Sequence, residues 1–219
     1  MDRRLRAGSL SRVGTREDFE ALLHAERPSE FLEMRSCRER ALTQNRKLLD
    51  FIGFDPHSKR CLDIGAGHGE SLDVWHEMGA SECTFVENNP WCLHHNRLKG
   101  FANGLELDHL RSIHRLPKGR FDLVWVYGSI CCHKTYFRIL GKYRLADWVR
   151  RVESLAAPRA TIVVCPYWLC DKGTRLVEWP TEHWMGVTFR ALGYRQLPFI
   201  DGHNIEPVYP ITWIKVMAE

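Results

Sequence analysis

The sequence predicts an α/β fold: a doubly wound, mostly parallel sheet preceded by a helical N-terminal segment. Three observations predict it. From Arg60 onward, short apolar runs alternate with segments of helical period, the pattern of right-handed βαβ units. A glycine-rich turn, CLDIGAGHGE (61–70), joins the first run to a helix. The C-terminal two runs have no helix between them and are free to pair antiparallel.

Glu17–Glu26 carries apolar residues at 19, 21, 22 and 23, a partial helical stripe. After Pro28, Ser29 is expected to cap a second helix over Glu30–Arg40, with a third over Ala41–Phe51. Strands are expected at 61–66, 83–87, 104–110, 121–128, 160–168, 197–200 and 211–217. Helices are expected at Glu70–Met78, Pro90–Phe101, Gly141–Ala157 and Thr181–Leu192. The boundary between helical extension and sheet domain falls at 59/60, giving segments 1–59 and 60–219.

Composition narrows the function. Among 219 residues, 31 are basic and 27 acidic, a net charge of +4 that does not by itself imply nucleic acid. The charge is uneven: Arg111–Arg159 holds eleven Lys/Arg against Asp122, Asp147 and Glu153. Such a stretch reads first as a solvated helix face and second as a surface for an anionic substrate or RNA. No apolar run reaches the roughly 18–20 residues that span a bilayer, so no membrane segment is expected. The basic opening MDRRLRAGSLSRVG has no apolar core behind it, so no signal peptide is expected. Eight cysteines occur without a CxxC, and reduced thiols in a cytoplasmic protein are expected.

The turn at 65–69 has the spacing G-x-G-x-G. Glycines let the backbone approach a ligand, and the helix after the turn presents free N–H groups to it. The spacing departs from G-x-G-x-x-G and lacks the G-K-[ST] of a phosphate loop. About twenty residues on, CTFVE ends in Glu87, followed by Asn88-Asn89-Pro90. An acid at the end of the second strand is placed to accept hydrogen bonds from ribose hydroxyls.

LDIGAGHG, FVENNP, FDLVWV and, after a helix, APRATIVV, in that order, resemble the class I S-adenosylmethionine-dependent methyltransferases over about residues 60–217. The resemblance implies a Rossmann-like, seven-stranded sheet with an antiparallel last strand and an N-terminal helical lid. It implies S-adenosyl-L-methionine as cofactor. Asp63 and the backbone of Gly65, Ala66 and Gly67 would then hold the methionine part, Glu87 the ribose and Asn88 the adenosine. Ser112 stands where the family often carries an acid toward the adenine amino group, with Asp108 as the alternative in another register. Ile113 would pack on the adenine ring.

VYGSICCHK (126–134) leaves the central strand where the family places the methyl group. Tyr127-Gly128-Ser129-Ile130 is not the [DNS]-P-P-[YF] of the amino-methylating nucleic-acid enzymes. No Asp lies between Tyr127 and Tyr136, so no metal is expected. His133 is the candidate base, or a loop histidine without a role. Tyr127 faces cofactor or core, and Tyr167 stands on the rim beside Trp168. Phe31, Met34 and Arg35 are candidate lid residues, and Trp179, Glu182, His183 and Trp184 candidate rim residues. The reading is a methyltransferase acting on an O or N of a small molecule. RNA or protein methylation is the rival, and a catalytically silent partner protein the rival of another class. Nothing in the sequence fixes the oligomeric state.

Overall fold

A computed structural model of the chain describes residues 14–131, 145–167, 184–197 and 212–219. The apolar runs form strands whose two faces are both covered, as a largely parallel sheet requires. These are β1 (Arg60–Ile64), β2 (Glu82–Glu87), β3 (Gly104–Glu106), β4 (Phe121–Cys131), β5 (Ala156–Tyr167), β6 (Arg195–Gln196) and β7 (Trp213–Val216). The seven lie in the order β3-β2-β1-β4-β5-β7-β6. β1 to β5 are parallel, and β7 runs antiparallel to both β5 and β6. The strand order reverses between β1 and β4, so a crevice opens at their carboxyl ends.

Alternate residues of each strand feed opposite faces. Leu62, Ile64, Val124 and Val126 join a core with Trp148, Val149 and Val152 of α6 (Leu145–Glu153) and Phe189 of α7 (Trp184–Ala191). Cys61, Leu123 and Trp125 face the other way, toward Trp75 of α3 (Glu70–Glu77). Between β2 and β4 lie α4 (Pro90–Leu98) and the short α5 (His109–Ser112).

The N-terminal segment departs from expectation. Helix α1 (Arg16–Glu26) starts on Thr15, whose hydroxyl accepts from the Asp18 N–H at 3.1 Å. After it comes one 25-residue helix, α2 (Pro28–Ile52), where two were expected. No glycine or proline interrupts it before Gly53 ends it at φ 67°, so no break exists at 40/41. Ser29 is not its cap: Pro28 occupies the first turn, and Arg27 stands at the cap without a side-chain bond. Leu48 and Leu49 of α2 sit in the same core as Trp75 and Trp125, so the segment before residue 60 shares the core of the sheet. Phe19, Leu23, Met34 and Trp91 form a smaller cluster between α1, α2 and α4.

Further boundaries move for local reasons. The run 104–110 yields only three strand residues, because Asp108 accepts from the Leu110 N–H and starts α5. Ala156 and Ala157 belong to β5 and not to the preceding helix, since Ala156 pairs with Phe121. The expected 197–200 strand begins earlier, at Arg195, and Leu197 lies just past it; residues 198–200 lie outside the described residues. Cys61, Cys83, Cys92 and Cys165 are in no disulfide among the described residues. No helix among the described residues is long and apolar enough to cross a membrane.

Candidate functional site

The carboxyl ends of β1 and β2 bring the glycine turn against Glu87. Gly65, Gly67 and Gly69 all have positive φ, at 81°, 54° and 77°. Gly65 and Ala66 donate to the Val86 carbonyl at 2.8 and 3.3 Å, which ties the turn to β2. Each glycine meets a different demand. A side chain at Gly65 would overlap the Ser129 Cβ, and one at Gly69 would overlap the Asn96 carboxamide. At Gly67 nothing lies within 4 Å, so the turn is open to a ligand there. Gly65→Ala is therefore expected to destabilise the fold by more than the about 1–2 kcal/mol of left-handed strain alone. Gly67→Ala should carry only that strain, and urea midpoints of the two variants check the difference.

Glu87 is 8% exposed. Its Oε2 accepts from the Gly67 N–H at 2.9 Å, and its Oε1 from the Asn88 and Asn89 N–H groups at 2.8 and 2.7 Å. A carboxylate has about four lone-pair sites, so one remains, on Oε2. Glu87 can thus take one further donor as it stands, and a second only if Gly67 lets go. Asn88 is exposed beside it, and Asn89 caps α4 through its side chain, accepting from Trp91 N–H at 3.1 Å.

Asp63 lies beneath the turn at 3% exposure. The Ser71 hydroxyl donates to its Oδ2, while Oδ1 has no partner. Burial pushes the carboxyl up to about 7; the Ser71 bond opposes the shift and the Glu87 charge adds to it. In the unfolded chain an Asp titrates near 3.9. Folding therefore takes up a proton between those values. The stability that Asp63 contributes is full below about 4 and is lost as pH rises through about 7. The Tm of Asp63→Asn is expected to gain on the parent between pH 5 and 8; a pH-independent difference would show that the carboxyl is already ionised in the fold.

Sequence reasoning missed what holds the turn from behind. Asn96 Nδ2 donates to the Gly67 carbonyl at 3.0 Å. Lys99 Nζ donates to the carbonyls of His68 and Gly69 at 2.8 and 3.1 Å, and pairs with Asp73 Oδ2 at 2.7 Å. Three successive carbonyls are thus held from the side of α4. The Lys99 side chain is only 6% exposed, and burial lowers its pKa against the opposing pull of Asp73. No local signal marks them, since polar residues at the end of a helix are ordinarily solvated.

Other expected residues fall elsewhere. Ile113 is fully buried in the core with Leu110 and Leu116. Ser112 ends α5, its N–H donating to the Asp108 carbonyl at 2.8 Å. Tyr127 is half-buried and stacks on Trp125, ring centroids 5.8 Å apart. His133, Trp168, Trp179, Glu182 and His183 lie outside the described residues, as does the side chain of Tyr167. The backbone places Tyr167 opposite Cys131, so β5 and β4 end together where the 132–144 segment leaves.

No protein-family model matches the sequence, and no curated protein matches it. Solved structures do. The chain is similar to a SAM dependent methyltransferase from Archaeoglobus fulgidus, with 18% identity over 87% of this chain and 100% of that one, at a TM-score of 0.56. It is also similar to the 1,6-didemethyltoxoflavin-N1-methyltransferase of Burkholderia thailandensis, whose structure has 1,6-didemethyltoxoflavin and S-adenosylhomocysteine bound. There the identity is 15% over 100% of this chain and 92% of that one, at a TM-score of 0.55. It spans about half of an S-adenosylmethionine dependent methyltransferase from Mesorhizobium loti: 21% identity over 52% of this chain and 49% of that one, at a TM-score of 0.44. At such identities the likeness is one of fold, and the chain has the fold of S-adenosylmethionine-dependent methyltransferases.

Proposed function

We propose that this chain is an S-adenosylmethionine-dependent methyltransferase acting on an oxygen or nitrogen of a small molecule. The observation that carries the reading is the bond from Gly67 N–H to Glu87, which joins an open glycine turn to a carboxylate with one acceptor site left. The residues fit the cofactor. Asp63 Oδ1 is a buried acceptor without a partner, suited to a cationic ammonium at the methionine end. The backbone of Gly65, Ala66 and Gly67 would lie along that end, and Glu87 with Asn88 would hold the nucleoside. When bound, the cofactor supplies a sulfonium methyl that reacts by in-line attack.

The chain's own work is then chiefly positioning, which can account for much of such a barrier. His133 and Tyr167 are the groups proposed to orient the acceptor or take its proton. His133→Gln is expected to lower turnover by about 10²–10⁴-fold with cofactor affinity unchanged; wild-type turnover would make positioning sufficient. A small acceptor is supported by three of the eleven cations of the basic segment: Arg120 and Arg150 face Glu82 and Asp147 at 2.6 and 3.3 Å, and Arg159 is paired with Glu219. Cations already paired offer less to a phosphate backbone.

Incubation with methyl-labelled S-adenosylmethionine and separated metabolite, RNA and protein fractions tests the proposal. Label is expected among small metabolites. Label in RNA or protein alone would overturn the acceptor class. No transfer, together with no calorimetric binding of S-adenosylhomocysteine, would overturn the enzyme and favour a partner protein.

A further inference from the structure

Beside the glycine turn, the N-terminal helices help enclose a cavity of about 200 Å³. At ~30 Å³ per water it has room for about seven waters, or a ligand of similar heavy-atom count. Its walls come from α1, α2, His68, the first residue of α3 and His95 of α4. None of Asp63, Gly65, Gly67 and Glu87 lines it.

The charges in its walls divide into paired and unpaired. Arg16 is taken by Glu20 at 2.9 Å, and Arg38 faces Asp73 at 3.5 Å. Arg35 lies over the Phe31 ring at 5.8 Å, and has no carboxylate partner among the described residues. Glu39 has no cation partner among the described residues either. His95 is 4% exposed, and neither ring nitrogen has a hydrogen-bond partner. Leaving a buried polar group unpaired is costly, so this ring is either a burden on the fold or part of a site. Its orientation is fixed: it stacks on Phe19 at 5.0 Å and meets the His68 ring edge-on at 5.6 Å.

One cation without a carboxylate partner, two carboxylates without an ion pair among the described residues, Glu39 and Glu70, and an unbonded imidazole line this small cavity, groups that suit the carboxylate, the ammonium and the polar atoms of a zwitterion. We propose that this cavity binds a small free α-amino acid, with its carboxylate on Arg35, its ammonium toward Glu39 and Glu70, and His95 bonded to its polar groups. Burial, followed by the charge of Lys99, pushes the imidazole down to about 3, so His95 stays neutral and offers one donor and one acceptor. The site does not depend on the methyltransferase reading, because a catalytically silent chain would bind the same ligand.

Glycine, L-alanine, L-glutamate and L-arginine, titrated calorimetrically into the full chain and into the chain saturated with S-adenosylhomocysteine, test the site. At least one is expected to bind with Kd below about 1 mM in both states. Arg35→Gln, at an exposed position that leaves folding intact, should weaken it at least tenfold, and His95→Phe should do the same. No binding by any of the four overturns the proposal. So does binding abolished by S-adenosylhomocysteine, which would assign the cavity to the cofactor's amino-acid end. Equal binding of acetate or methylamine, or affinity unchanged in Arg35→Gln, overturns it as well. Should His95→Phe fail to fold, Arg35→Gln decides.

Discussion

Glu87→Ala is expected to weaken S-adenosylhomocysteine binding at least about tenfold and to lower Tm at the same time. The double effect comes from the double use of one carboxylate. Its two oxygens hold three backbone N–H groups of the 67 and 88–89 turns and keep one acceptor site for a ligand. Hydrogen bonds to a charged acceptor are worth about 1.5–3 kcal/mol each before water replaces them. A net loss of about 3 kcal/mol corresponds to roughly 6–12 °C of Tm at about 2–4 °C per kcal/mol for a chain of this size. Glu87→Gln separates the two uses in part, since its carboxamide oxygen can keep the Asn88 and Asn89 bonds while its NH2 cannot accept from Gly67. It should recover some of the Tm and little of the affinity. Calorimetry showing unchanged affinity in both variants would remove Glu87 from the ligand site.

Lys99→Met is expected to cost about 3 kcal/mol, the lower end for removing one partner of a buried ion pair, because Arg38 still faces Asp73 at 3.5 Å. The same change frees the carbonyls of His68 and Gly69. With its back unheld, the turn no longer keeps Gly67 in place against Glu87. Cofactor-product affinity should fall about tenfold although Lys99 lies behind the turn. Asn96→Ala releases only the Gly67 carbonyl and should move both quantities in the same direction by less. A lowered Tm with affinity intact would make the lysine a stabiliser of the fold alone.

Whatever local pattern dictates was legible in the sequence. The alternation of apolar runs with helical segments pointed to a mostly parallel sheet, and the lack of a helical pattern between the last two runs left them free to pair antiparallel, as β6 and β7 do. The glycine turn and Glu87 were legible because their chemistry is written in consecutive residues. The start of α2 was misplaced because Ser29 looks like a cap, whereas Pro28 just before it fills the first turn; the false break at 40/41 arose because the apolar stripe of 30–51 is out of register there. Lys99 was hidden for another reason. A lysine at a helix end is ordinarily solvated and favoured there by the helix dipole. Only the packing of α4 against the turn turns its amine inward, onto Asp73. His95 was hidden likewise, since nothing local tells a buried histidine from an exposed one.

The antiparallel strand near the C-terminus has a consequence for how the chain is made. β7 lies between β5 and β6, and the residues that close the sheet, 213–216, come after β6 in the chain. Until they emerge from the ribosome, the Thr161–Val164 edge of β5 has no β7 partner and β6 has no neighbour at all. Synthesis at about 5–20 residues per second leaves that edge bare for roughly 2–10 seconds, the time between β5 and β7. An apolar strand edge is a template for another chain's strand. The nascent protein is thus most vulnerable to coaggregation after β5 has emerged and before β7 has.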